Sequence, residues 1–311
     1  MPKKILIIGA GSSAQRFAKI LLAKKYDVDV YQHRTGVKIE GCGSVKSLDD
    51  ALGYTAAIIS SPTASHLHYA KKILPLNIPI FVEKPFADSK SGVAAFLKQA
   101  KKQKTVLKVG FNMRYVPAIQ KITEYLHEKK LGKVLYAHIH VGQYLPQWRP
   151  KLNYAKTYSA NYAMGGGAAL DLIHEIDLTY LWFPKAKLQI ANTKKLSSLH
   201  IDVEDYVKFM NKKDPHIWLT LDYLSHIRTR RYHLVGEKAS IICDLYQNSF
   251  IFKNMDGHEE TITDPAFFDA TPTYEKELDD FLKLKYQPPT ERELGIDALR
   301  TALKARRHVQ K

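Results

Sequence analysis

Apolar and polar positions follow two rhythms along this chain. Up to about residue 110, short unbroken apolar runs alternate with segments whose apolar residues recur every three or four positions. The runs are Lys4-Ile5-Leu6-Ile7-Ile8, Val28-Asp29-Val30-Tyr31, Ala56-Ala57-Ile58-Ile59-Ser60, Ile80-Phe81-Val82 and Val106-Leu107-Lys108-Val109. Continuous β-branched runs fit strands buried on both faces of a parallel sheet. Between them, Ser13 to Lys24 aligns Phe17, Ile20 and Leu21 on one helical face. Ala64 to Leu74 forms a second helix, and Asp88-Ser89 opens a third that leads into Val93, Phe96 and Leu97. Strand alternating with helix predicts a doubly wound α/β domain over residues 1–115.

Beyond residue 115 strand follows strand. Strands are expected at Val134 to Val141, Leu188 to Asn192, Tyr206 to Met210, Ile217 to Leu224, Tyr232 to Val235 and Ala239 to Cys243. Gly236-Glu237-Lys238 joins the last two as a hairpin. One long helix is expected from Gly167 to Trp182, with late helical segments at Tyr274 to Lys285 and Glu291 to Arg307. Residues 116–311 therefore read as an α+β domain with a large, mostly antiparallel open sheet. No internal repeat, low-complexity tract or long linker interrupts the chain.

With 311 residues, 45% hydrophobic and 25% charged, the chain has the make-up of a folded protein of about two domains. The two cysteines, Cys42 and Cys243, supply neither a disulfide framework nor metal-ligand spacing, which points to a reducing cytoplasm. The start, Met1-Pro2-Lys3-Lys4-Ile5, enters a strand at once and is too short for a signal peptide. No apolar run approaches the ~18 residues of a membrane span. The formal net charge of +16 is spread over scattered pairs such as Lys24-Lys25, Lys101-Lys102 and Lys212-Lys213. Without a basic block interleaved with aromatics, nucleic acid is not an expected partner; a solvated surface, a phosphorylated cofactor or an acidic substrate accounts for the charge.

Gly9-Ala10-Gly11-Ser12-Ser13-Ala14 follows the first strand and opens the first helix. In that context Gly-X-Gly-X-X-Ala is a dinucleotide cradle. Gly9 permits the tight turn, Gly11 admits the pyrophosphate, and Ala14 keeps helix and sheet close. The helix start aims N–H groups at the phosphates, and Ser12 and Ser13 add hydroxyls. The second strand ends Tyr31-Gln32-His33-Arg34-Thr35. It lacks the carboxylate that binds the ribose hydroxyls of NAD, and Arg34 is suited to a 2′-phosphate. NADP is therefore expected, with NAD as the lesser choice. His33 is placed to stack on adenine or to face water.

These segments resemble the Gfo/Idh/MocA family of oxidoreductases across essentially the whole chain. The matching residues are Gly9 to Ala14, Ser61-Pro62-Thr63-Ala64-Ser65-His66, Glu83-Lys84-Pro85, Gly110-Phe111-Asn112-Met113-Arg114-Tyr115, and Gly165-Gly166-Gly167 through Asp177. Asp202-Val203-Glu204-Asp205 and the Gly236 hairpin are also similar. The segments Gly142 to Pro150, Tyr158-Ser159-Ala160 and Asp171 to Asp177 resemble a branch associated with surface-polysaccharide and sialic-acid-like sugar synthesis. The resemblance implies a Rossmann domain, a second domain whose open sheet builds homodimers or homotetramers, and hydride transfer at a hydroxyl-bearing carbon of a sugar or polyol. It implies that Lys84 is the catalytic lysine and that Ser61, Pro62, His66 and Glu83 lie near the cofactor.

Such a reaction needs a base for the hydroxyl proton and a group to hold the oxygen. His174 suits the first role because imidazole titrates near neutrality, or it binds the substrate while another group takes the proton. Lys84 suits the second, since an ammonium stabilises a developing alkoxide. Asp171, three residues before His174, is suited to binding a substrate hydroxyl or orienting Lys84. Many family members separate this Asp and His by four positions. Arg114, Tyr144, Trp148, Arg149 and Tyr158 are candidate substrate contacts, the aromatics for a sugar face and the arginines for an anionic group. A reductase of a non-sugar substrate on the same fold is an alternative. So is a non-catalytic NADP-sensing protein, which would be expected to lose Lys84 or His174.

Overall fold

The computed structural model describes residues 3–32, 37–48 and 53–309. His33 and Arg34 lie outside the described residues. The chain divides into two compact units, residues 1–111 with 274–296 and residues 112–273 with 297–311.

The first unit is built on a six-stranded parallel sheet in the order β3-β2-β1-β4-β5-β6. Its elements are β1 (Lys4–Ile8), α1 (Ser12–Ala23), β2 (Asp27–Tyr31), β3 (Gly43–Val45), β4 (Ala56–Ile59), α2 (His66–Ile73), β5 (Ile80–Glu83), α3 (Val93–Lys102) and β6 (Leu107–Gly110). Buried β-branched residues fill the inner strands; Ile5, Ile7, Ile58 and Phe81 are fully buried. The third helix starts at Val93 rather than near Asp88, behind Gly92, which adopts a left-handed φ of 75°.

The second unit begins with α4 (Pro117–His127) and β7 (Val134–Gly142), then α5 (Ala168–Asp171) and α6 (Ile173–Trp182). Strands follow: β8 (Gln189–Lys194), β9 (Tyr206–Asn211), β10 (His216–Asp222), β11 (Thr229–Gly236), β12 (Ala239–Asp244), β13 (Ser249–Asn254) and β14 (Glu259–Ile262). They form an eight-stranded sheet in the order β14-β13-β12-β11-β7-β10-β9-β8. Every pairing is antiparallel except β7 with β10. Alternation sorts the faces: Ala137, Ile139, Ile217, Leu219, Tyr232 and Leu234 are buried on one side. On the other, Trp218, His138 and His233 stand in register across β10, β7 and β11. That open face holds a shallow groove of about 630 Å³ lined by His138, His140, Lys208, Trp218, Arg231 and His233.

Two expectations are revised. The helix expected over Gly167 to Trp182 is two helices, interrupted at Leu172 (φ −97°, ψ 30°). The single boundary at residue 115 is replaced by a crossing after Phe111 and a return at Tyr274. The return has a packing cause. Helix α7 (Thr273–Leu282) buries Leu278 and Phe281 in the core of the first unit with Phe17 and Phe81. Rings meet edge-on, Phe17 with Phe81 at 5.3 Å and Phe81 with Phe281 at 5.5 Å. The chain then crosses back, and α8 (Ile296–Ala305) belongs to the second unit from Asp297 on. No described helix is long and apolar enough to cross a membrane.

Leu278 is fully buried in this core. Leu278→Ala is expected to destabilise the protein by about 3 kcal/mol through lost transfer and a cavity. Urea unfolding checks this, and a loss below about 1 kcal/mol would show that α7 does not belong to that core.

Candidate functional site

In the first unit, chemistry-bearing residues collect at the carboxyl ends of β1, β4 and β5. Gly9 leaves β1 with φ 119°, and its N–H donates to Tyr31 O at 2.9 Å. A Cβ at Gly9 would lie 2.7 Å from Ser60 O, so only glycine lets β1 turn beside β4. Gly11 caps α1 without any side-chain cap, and a Cβ placed on it would meet nothing within 4 Å. That room above a helix start fits the pyrophosphate of a dinucleotide. Ser12 is exposed, while Ala14 is buried against the sheet. Gly9, Gly11, Ser12 and the helix-start N–H groups would hold the phosphates.

Ser13 and Glu83 have a different occupation from the one expected. The Ser13 hydroxyl bonds the Glu83 carboxylate, which also accepts from the Lys84 N–H at 3.1 Å. Burial pushes Glu83 above the usual carboxylate range, opposed by the Lys84 charge and these donors. His66 is 1% exposed, and its ring nitrogens reach Pro85 O and Ser61 O, both at 2.7 Å. Burial keeps its pKa below the ordinary histidine range against the pull of those carbonyls. The ring thus sits between the turn after β4 and the Pro85 carbonyl, just past the cis Lys84–Pro85 peptide, and in its neutral form donates to one of the two carbonyls. Ser61 accepts from the Ser65 hydroxyl at 2.8 Å, and Pro62 opens the short turn before α2.

In the second unit the predicted residues fall on α5, α6 and the loop before them. Asp171 is 6% exposed and is engaged by neighbouring hydroxyls. Tyr158 donates to its Oδ1 at 2.8 Å, Ser159 to its Oδ2 at 2.6 Å and Tyr223 to its Oδ2 at 3.2 Å. Burial first, and then the Asp171 charge, raise the Tyr158 and Tyr223 hydroxyls well above the ordinary tyrosine range. Arg149 lies over the Tyr158 ring at 5.3 Å, Trp148 meets Tyr223 edge-on at 5.2 Å, and Tyr144 packs on His226 at 4.2 Å. Arg149, Trp148 and Tyr158 therefore share one surface around Asp171.

His174 opens α6 and is 8% exposed. Ile173 through Thr179 are all buried, so this stretch of the helix has no solvated face. Its charges are paired inside. Arg114, expected at a substrate, instead clamps Asp177 through Nε (2.8 Å) and Nη2 (2.6 Å). Arg230 clamps Glu175 (2.7 and 3.2 Å), which also accepts from Tyr232 at 2.9 Å. Ser159, Tyr223, Glu175 and Arg230 were not singled out by motif. Their partners lie as far as 117 residues away, and no local pattern marks them.

Two family models match the chain: the NAD-binding Rossmann fold of an oxidoreductase family over residues 3–111, and that family's C-terminal α/β domain over residues 123–305. The chain belongs to the Gfo/Idh/MocA oxidoreductase family. Among curated relatives, it is 26% identical over 223 residues to glucose-6-phosphate 3-dehydrogenase of Bacillus subtilis (strain 168), covering 66% of this chain and 63% of the relative. It is 26% identical over 179 residues to levoglucosan dehydrogenase of Pseudarthrobacter phenanthrenivorans, covering 49% of this chain and 45% of the relative. The matches thus span less than two thirds of these relatives. Among solved structures, a levoglucosan dehydrogenase complexed with NADH superposes with a TM-score of 0.80 at 17% identity, covering all of both chains. GenD2 from gentamicin A biosynthesis, complexed with NAD, gives 0.79 at 18%, covering 100% of this chain and 97% of the other. At these identities the structures establish the fold of this family member.

Burial also lifts the carboxyl of Glu204 to about 7, opposed by the N–H groups of Arg307 and Ala169. A carboxyl raised in the folded state contributes stability below its unfolded pKa, and that contribution is lost as pH climbs through the folded value. Between pH 4.5 and 7 the protein should therefore lose stability on the order of 3 kcal/mol from this group. Glu204→Gln should flatten that part of the pH profile in urea titrations. A variant with the same slope as the parent would refute the assignment.

Proposed function

We propose that this chain is an NADP-dependent dehydrogenase or reductase that moves a hydride to or from a hydroxyl-bearing carbon of a sugar, polyol or sugar derivative. The observation that carries the reading is the meeting of three strand ends in one parallel sheet. Gly9 and Gly11 follow β1, Ser61 follows its neighbour β4, and Lys84 follows β5. The order of strands reverses between β1 and β4, which is where open α/β sheets take their ligands. The names of the relatives, glucose-6-phosphate 3-dehydrogenase and levoglucosan dehydrogenase, support a sugar substrate.

Bound on this cradle, the nicotinamide cofactor supplies the hydride acceptor for oxidation and the donor for reduction. Lys84 offers its ammonium to the reacting oxygen and stabilises the charge that develops there. His174 takes the hydroxyl proton in oxidation and returns it in reduction. Asp171, already accepting three hydroxyls, works mainly by fixing Tyr158. Arg149, Trp148 and Tyr144 line the substrate side, where the guanidinium suits an acidic or phosphorylated sugar. Arg34 holds the 2′-phosphate of NADP, with His33 on the adenine. We assign homodimer or homotetramer contacts to the open face around Trp218 and His138, and a cytoplasmic location.

Lys84→Ala is expected to lower turnover by about 10³-fold while leaving NADP affinity within a few-fold. The check is steady-state turnover with NADP and a panel including glucose 6-phosphate and levoglucosan, beside nucleotide fluorescence titration. Normal turnover would sink the assignment of Lys84.

Arg34→Ala should weaken NADP by about 10- to 100-fold, the worth of a charge-assisted contact, and NAD hardly at all. Calorimetric titration with both nucleotides decides this, and equal weakening of the two would refute a 2′-phosphate clamp.

A further inference from the structure

The run Asp202-Val203-Glu204-Asp205 reads in sequence as an acidic stretch ahead of a strand. In the structure it is an interior junction: Val203, Glu204 and Asp205 are fully buried. Each carboxylate accepts backbone N–H groups from a different loop. Asp202 takes Tyr162 N at 2.6 Å. Asp205 takes Leu196 N at 2.7 Å and Ser197 N at 3.0 Å. Glu204 takes two segments at once, Ala169 N on Oε1 at 3.1 Å and Arg307 N on Oε2 at 2.9 Å.

The geometry points to Glu204 as a positioning residue that locks the segment after α8, Arg306 to Val309, to the glycine turn that launches Asp171. Several contacts converge on this coupling. Gly167 (φ 112°) lies so close to the Glu204 carboxylate that any side chain there would collide with it. Ala168 N donates to Glu204 O at 3.1 Å, so main chain and side chain of one residue together hold the first turn of α5. On the other side, Val309 N donates to Asp202 O at 3.0 Å, and Val203 pairs with His308 as an isolated bridge. The same segment grips the loop before α5. The Arg306 guanidinium lies 3.9 Å from the Tyr162 ring centroid and donates to Tyr162 O, while His308 packs on that ring at 4.9 Å.

The coupling follows from the chemistry of a buried carboxylate. Its two oxygens are one rigid unit, and each is satisfied by one strand of main chain. Withdrawing either donor leaves a desolvated oxygen, which penalises the remaining contact. The segment after α8 and the turn before α5 therefore order together. Through α5 that order reaches Asp171 and the hydroxyls of Tyr158, Ser159 and Tyr223. The groups facing Glu204 are the charged Arg306, the Arg307 main chain, the Tyr223 hydroxyl and the α5 amides.

The consequence for catalysis rests on the reading of Asp171 and Tyr158 as substrate-side residues; the coupling itself does not. The test is amide hydrogen exchange at pH 8 on the full chain and three variants. Glu204→Gln leaves only one acceptor oxygen for two donors. Arg307→Pro deletes one donor, and the third variant combines both. Each single change should speed exchange in residues 160–172 by about 10-fold, with Lys4–Ile8 and Ser249–Asn254 unchanged. The double variant should exchange no faster than the faster single. Unchanged exchange at 160–172 in Glu204→Gln, additive effects in the double, or faster exchange everywhere would overturn the coupling. If the coupling holds while the KM for the turned-over sugar is the same in Glu204→Gln, the lock stands and the substrate-side reading of Asp171 falls.

Discussion

The second unit depends on one constraint: carboxylates buried around α5 and α6 must each find donors. Helix α6 is buried from Ile173 to Thr179 and has no solvated side on which to place a charge. Glu175 and Asp177 are consequently met by arginines from other elements, Arg230 on β11 and Arg114 ahead of α4. Asp171 is met by three hydroxyls. A buried ion pair adds little over apolar packing, yet losing one partner costs about 3–5 kcal/mol. The pairs therefore act as specification. Each arginine or tyrosine has one place to go, and the loops that carry them are fixed with it.

Around Asp171 the three hydroxyls form a polar network in which each donor also has a lone pair to offer. Tyr158 is the member next to a cation, Arg149, so its hydroxyl lies between a carboxylate and a guanidinium. Its hydroxyl, neutral at pH 7 in any case, is held more firmly in that form by burial and the Asp171 charge. Its one hydrogen goes to Asp171, which sets the direction in which the hydroxyl points and leaves its lone pairs for other donors such as Arg149.

Strands β1, β4 and β5 were legible because parallel strands covered on both faces must be apolar throughout, and no other element looks like that over four or five residues. The Gly9–Gly11 turn was legible for a steric reason that the Ser60 contact makes explicit. Less was readable where partners are distant. Helix α7 is amphipathic, and an amphipathic helix shows that it covers something without showing what; its return to Phe17 and Phe81 is a property of the assembled core. The break at Leu172 carries no glycine or proline. The strand Ser249-Phe250-Ile251-Phe252-Lys253 does alternate, so β13 was available to a closer reading. The site residues divide the same way. Lys84 and the glycines follow from local context, whereas the pairing of Arg114 with Asp177 is visible only in space.

At the end of β5 the fold fixes the origin of the Lys84 side chain, the lysine to which the proposed function gives the reacting oxygen. A long flexible chain must carry its charge from a fixed origin. Here the origin is held on both sides. The Glu83 carboxylate accepts the N–H of Lys84 and is itself tied to Ser13 at the start of α1, while His66 engages the carbonyl of Pro85. Gly110 makes this possible, since a Cβ there would lie 3.1 Å from the Phe81 ring and 3.3 Å from the Glu83 carboxylate. Phe86 completes the support by packing on Phe96 of α3. The polar residues flanking Lys84 are thus engaged with the protein. They bear on Lys84 through where its side chain begins, which separates them in kind from Gly11 and Ser12, which are exposed at the start of α1.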